Sequence, residues 1–150
     1  MGNLPYYWVP NTTTSQWIGP NTGPYSTGPV GYYTYTTTFN LPSNFSTALI
    51  TGQWVSDDSS QILLNGSSTN NPTIPYVTPT NFTISNGFVA GTNSLEFVVY
   101  NSIAGTGLQV NNIVGTYTTN VPFEFSPEQG FILGIPLFLG LRKLKKIKSK

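Results

Sequence analysis

Asp57 and Asp58 are the only adjacent carboxylates in this 150-residue chain, and any acid or base chemistry would have to start from them. The remaining acidic residues are Glu96, Glu124 and Glu128. Histidine and cysteine are absent, and every Lys and Arg lies between Arg142 and Lys150. A histidine general base, a serine triad, a thiolate metal site and a disulfide framework are therefore excluded. A glycosidase needs two carboxyls about 5 to 10 Å apart across a cleft, whereas neighbours on a strand or turn point different ways. Glu96 falls within or beside an expected strand, which leaves no acid/base pair, so the chain reads as a non-enzyme. Asp57 and Asp58, joined by backbone carbonyls, are candidate ligands of a structural Ca²⁺, which prefers oxygen; otherwise no cofactor is expected. The simpler reading makes them a solvated turn that caps backbone amides.

Binding chemistry is better represented. Trp8, Trp17, Tyr25 and Tyr76 sit in turn-rich segments, where an aromatic face offers apolar area to a sugar ring while Asn, Gln and Asp side chains engage its hydroxyls. Trp54 is expected in the core instead. The competing role for each loop aromatic is packing, because a β-sheet protein with this many rings uses several as lids. Nucleic acid is excluded as a partner, since residues 1–141 contain no basic residue, and no GxxxxGK[ST] phosphate loop is present.

The elements that must position these groups are strands. Aromatic residues make up 14% of the chain while charged residues make up 7%, a balance that favours a folded β-rich domain over disorder. Residues 1–29 form an irregular lead segment rich in Pro, Asn, Thr and Gly, with room for a short strand at 16–18. Val30–Phe39 is the clearest strand, with Tyr33, Tyr35 and Phe39 on one face. Thr47–Val55 follows, with Ala48, Ile50 and Trp54 sharing a face, and Ser56–Ser59 interrupts the pattern. Gln61–Leu64 ends at Asn65-Gly66, a dipeptide suited to the positive φ of a tight turn. Asn81–Ile84, Ser94–Asn101 and Leu108–Thr118 complete the set. Short strands at this spacing, without a 3.6-residue period, predict an antiparallel β-sandwich of jelly-roll type over residues 30–119.

Residues 120–150 read differently. The body up to residue 141 carries five acidic and no basic residues, whereas Arg142, Lys143, Lys145, Lys146, Lys148 and Lys150 give the end of the chain +6. That basic run follows GFILGIPLFLGL, residues 130–141, which as a helix reaches only ~18 Å against a bilayer core about 30 Å thick. A full span therefore borrows flanks such as Phe123 and Phe125. The expected arrangement is one C-terminal membrane helix with a cytoplasmic basic stop and the body outside. The alternative is a helix docked on the sandwich, but its apolar residues surround the axis instead of forming a stripe. Such a tail calls for an export signal that Met1-Gly2-Asn3-Leu4-Pro5 does not provide, so the sequence is expected to be a fragment or to start too far downstream.

The order Pro122-Phe123-Glu124-Phe125-Ser126-Pro127, then Gly130, an apolar run and a basic terminus, resembles the C-terminal sorting signals of the PEP-CTERM class, in particular its cyanobacterial form. The resemblance implies an exosortase-type membrane protease as partner, export, anchoring at the membrane through the tail, and a destination at the cell surface or outside the cell. Pro122, Glu124 and Pro127 carry the match, and their spacing departs from a plain Pro-Glu-Pro triplet.

The body resembles the galactose-binding-domain-like jelly rolls that accompany such tails. The matching positions are Tyr33-Thr34-Tyr35 with Phe39, the run from Gly52 to Asp58, Ile62 to Gly66, and Gly87 to Val99. This is a scaffold pattern, whose members bind sugars, other ligands, or none known. The expected function is a carbohydrate-binding module for extracellular polysaccharide. A purely structural surface or matrix protein is the alternative, and an accessory domain of a glycoside-active enzyme comes third.

Overall fold

A computed structural model describes residues 5, 7–21, 27–71 and 76–121. The chain divides into two compact units, Met1–Asn120 and Val121–Lys150. The expected tail helix, the sorting motif Pro122–Pro127, the basic stop Arg142–Lys150 and Tyr25 all lie outside the described residues. Among the described residues no helix is long and apolar enough to cross a membrane.

The first unit is all-β. Its strands are β1 (Gly31–Leu41), β2 (Phe45–Asp57), β3 (Ser59–Leu64), β4 (Ser67–Ser68), β5 (Thr80–Ile84), β6 (Gly91–Asn101) and β7 (Gly107–Thr119). They form two antiparallel sheets ordered β1-β6-β3-β4 and β5-β2-β7, an arrangement consistent with a β-sandwich. Alternation along each strand decides which side chains meet between the sheets. From β2 come Ile50 and Trp54, from β3 Ile62 and Leu64, from β5 Phe82 and Ile84, and from β6 Leu95, Phe97 and Val99, all buried. The Phe97 ring lies 5.8 Å from Trp54 and 5.9 Å from Phe82, so one aromatic from the larger sheet packs on two from the smaller. Tyr33, Tyr35 and Phe39 share the half-buried face of β1, as the alternation requires.

Turn chemistry is local. Asn65 (φ 51°) and Gly66 (φ 75°) close the two-residue β3–β4 hairpin, because Gly and Asn tolerate the left-handed backbone that such a turn demands. Asn93 is fully buried at the start of β6. Its side chain accepts from Val89 N and Asn65 Nδ2 and donates to Val89 O and Gly91 O, pinning the turn that precedes the strand.

The sequence places a break at Ser56–Ser59. Instead β2 runs through Asp57 and β3 begins at Ser59, so Asp58 alone carries the chain from one sheet to the other. The carboxylate pair therefore stands at a sheet-to-sheet corner, and Asp57 is only 6% exposed. A solvated turn is the wrong description of that residue.

Candidate functional site

The outer face of the three-stranded sheet holds two contrasting regions. Thr51, Gln53, Val55 and Asp57 share one parity of β2, opposite to Ile50 and Trp54, and should all look outward. Val55 and Asp57 are nevertheless buried. The lead segment covers them: Trp8 Nε1 donates to Asp57 Oδ2 at 2.8 Å, and the Trp8 ring stacks on Trp17 with centroids 4.2 Å apart. Trp17 is fixed in turn by its Nε1 donating to Val9 O at 2.7 Å. Gly107 makes room for this lid. A Cβ on Gly107 would stand 3.1 Å from both Trp17 Cε3 and Ile18 O and 3.4 Å from Trp8.

The two carboxylates differ because their surroundings do. Burial pushes Asp57 up to about 7; hydrogen bonding to Asp58 and the charge of Asp58 add to the rise, and the Trp8 indole opposes it. Asp58 is also partly buried, which by itself raises a carboxylate, but hydrogen bonds from the Ser102 hydroxyl and amide, from Asp57 and from the Ile103 amide together outweigh burial and lower it. The Ser102 donors lie 2.6 Å and 2.7 Å from Asp58 Oδ2. Between the ordinary carboxylate range and about 7, Asp57 therefore keeps its proton while Asp58 is ionised. Among the described residues no three His, Cys, Asp or Glu side chains gather as metal ligands. As candidate Ca²⁺ ligands, Asp57 and Asp58 each have one oxygen, Oδ2, already engaged, by Trp8 and by Ser102 respectively.

The aromatics expected to bind sugar separate accordingly. Trp8 is 4% exposed, so its face is a lid on Asp57 and no platform for a ligand. Trp17 is half-buried in the same stack. Tyr76 is half-buried beside Tyr7, with ring centroids 5.2 Å apart, and accepts from Val9 N through its carbonyl. Tyr7 was not singled out from the sequence, although it is 47% exposed.

Beyond the lid the same sheet face is open. Thr51, Gln53, Asn81, Thr83 and Asn112 surround a shallow cavity of about 360 Å³. Register sets this grouping. Gln53 pairs with Asn81 and Thr51 with Thr83, and Gln53 Nε2 donates to Asn81 Oδ1 at 3.0 Å. On the other side β7 bulges: Thr51 pairs with Val114 but Gln53 with Asn111, so Asn112 and Ile113 oppose the single Gly52. Asn112 takes φ 49°, and its amide joins the cavity wall. Gly52 is required by what lies beneath, since a Cβ there would come within 2.7 Å of the buried Phe82 ring. Sequence reasoning missed this region because the reading followed rings and carboxylates; alternate amides and hydroxyls on paired strands were the available signal.

A second cavity, of about 370 Å³, opens between the sheets along β1 and β7. Phe39, Ile50, Phe88, Leu95, Ile113 and Tyr117 are among its walls, and Ile113 and Tyr117 are about half exposed.

No protein-family model matches the chain. No curated protein matches it. Among solved structures, the CBM36-1 domain of a multidomain xylanase from the hindgut metagenome of Trinervitermes trinervoides aligns with a TM-score of 0.37 and 14% identity, covering 55% of this chain and 73% of that one.

Proposed function

We propose that the body is a non-catalytic module that binds a neutral polysaccharide outside the cytoplasm, using the open outer face of β5-β2-β7. The observation that carries this reading is the grouping of Thr51, Gln53, Asn81, Thr83 and Asn112 around one cavity: donors and acceptors without a charge, suited to sugar hydroxyls. Catalysis finds no support in the carboxylates. Asp57 and Asp58 are adjacent at a corner and internally bonded, and Glu96 accepts from Ser94 Oγ at 2.9 Å. The fold is of jelly-roll type in this reading. Export, anchoring and exosortase processing rest on the charge segregation of the tail and on Pro122–Pro127.

A glycan array followed by calorimetry on the full chain in non-ionic detergent tests the binding site. Gln53→Ala and Asn81→Ala should each weaken binding at least about tenfold, about 1.4 kcal/mol, while Trp8→Phe leaves it unchanged. Failure of every neutral glycan to bind at millimolar concentration removes the proposal. The alternative, a structural surface protein, is favoured by Trp8 and Trp17 serving as a lid. Protease added to intact spheroplasts tests topology: cleavage of the body from outside is expected, and a protected body would refute export.

A further inference from the structure

The edges of the smaller sheet are treated unequally. The outer edge of β5 is met by Asn71, whose side chain accepts from Thr83 N at 3.2 Å and donates to Thr83 O at 3.3 Å, in the manner of a neighbouring strand. The first residues of β7 are met by the lead segment, with Ile18 and Leu108 exchanging both backbone bonds at 2.8 and 2.9 Å and Ser15 Oγ donating to Val110 O. Cover then stops. From Ile113 to Thr119, β7 pairs only with β2 among the described residues, and every side chain there is exposed.

A free edge is a template for another strand, and proteins that keep one open shorten it or place Lys, Pro or inward charges on it. Residues 111–121 contain no charged residue and no proline, and neither does β1, the strand across the cavity from β7. We infer that Ile113–Thr119 of β7 is an interface for a second copy of this chain, the two β7 strands pairing antiparallel about a two-fold axis at Thr116.

Charge permits a second copy as the occupant. A two-fold contact brings each side chain against its own kind or its mirror position, which penalises a charged edge and leaves this neutral one without repulsion. Register supports the axis. Thr116 is the midpoint of the open stretch, and pairing about it sets Tyr117 of each copy against Gly115 of the other, both on the cavity side of the sheet. An aromatic ring laid over the bare backbone of a cross-strand glycine is a favourable pair. The result is one continuous six-stranded sheet, with the open cavity side of each copy facing the contact.

Sedimentation of the full chain in density-matched non-ionic detergent tests this. The wild type should be a dimer, and Thr116→Lys and Thr116→Glu, each placing like charges at the axis, should weaken it at least about tenfold. An equimolar mixture of the two variants should restore the dimer. A monomeric wild type, a dimer that survives both substitutions, or a mixture that stays monomeric overturns the proposal. If either variant loses its near-ultraviolet dichroism, amide exchange of the wild type decides. Protection of Ile113–Thr119 must rise with protein concentration, and protection independent of concentration also overturns it.

Discussion

The two regions of the three-stranded sheet follow the same alternation yet have opposite surfaces. Toward Asp57 the outward positions of β2 and β7 are sealed: Val55 and Gln109 are fully buried and Asp57 nearly so, beneath Trp8 and Trp17. Toward Thr51 and Asn112 the outward positions meet solvent, and polar groups line the cavity. What differs is a further layer that, among the described residues, residues 7–18 lay over the first region and not over the second. Strand parity therefore states which way a side chain points, and a distant segment decides whether that direction is solvent or interior.

Removing the lid should give the largest effect. Trp8→Ala deletes a buried ring and its hydrogen bond to Asp57, with an expected loss of about 3–5 kcal/mol in denaturant unfolding. A loss below about 1 kcal/mol would mean that the two regions are not energetically distinct.

Acidity sharpens the same contrast. Because Asp57 is raised to about 7, the folded chain holds a proton that the unfolded chain releases above about 3.8. Its stabilisation is fully present below that pH and is lost as pH rises to about 7. Asp58 is lowered, so its contribution is present above 3.8 and is lost only as pH falls further. The expected melting temperature is highest near pH 4 and declines toward neutrality. Asp57→Asn keeps a neutral acceptor for Trp8 and should flatten the decline; an unchanged slope would assign it elsewhere.

Within the open region the sensitive position is a glycine. Gly52→Ala forces a methyl against the Phe82 ring, which is buried against Phe97 and has little room to move. A loss of about 1–3 kcal/mol is expected, from strain instead of lost cover. Neutral stability would show that the Phe82 ring can give way to the added methyl.

How much of this was legible varied with the range of the interaction. The long strands, the inward face of Ala48, Ile50 and Trp54, and the Asn65-Gly66 turn followed from near-neighbour pattern. Trp8 has the loop setting of a sugar platform, but its partner, Asp57, lies 49 residues away, and loop composition alone gives no sign of it. The carboxylates resemble a turn for a related reason. An aspartate pair flanked by serines has turn composition, but the strands on either side belong to different sheets and the pair joins them. Gln53 and Asn81 are each ordinary alone. Only the register, 28 residues apart in sequence, makes them a pair.

The smallest stability effect and the most specific functional one should fall together at that pair. Gln53 and Asn81 bond each other at the surface, where such an interaction contributes little, so Gln53→Ala and Asn81→Ala are each expected to change stability by no more than about 0.5 kcal/mol. If the open face binds glycan, the same substitutions reduce affinity while the melting temperature stays put. The lid behaves the other way, since Trp8→Phe loses the Asp57 bond and some stability but should leave affinity intact. A variant series in which affinity tracks stability across both regions would erase the distinction, because binding would then report only the fraction folded. A series in which affinity falls at Gln53 and Asn81 alone assigns recognition to the uncovered region and structure to the covered one.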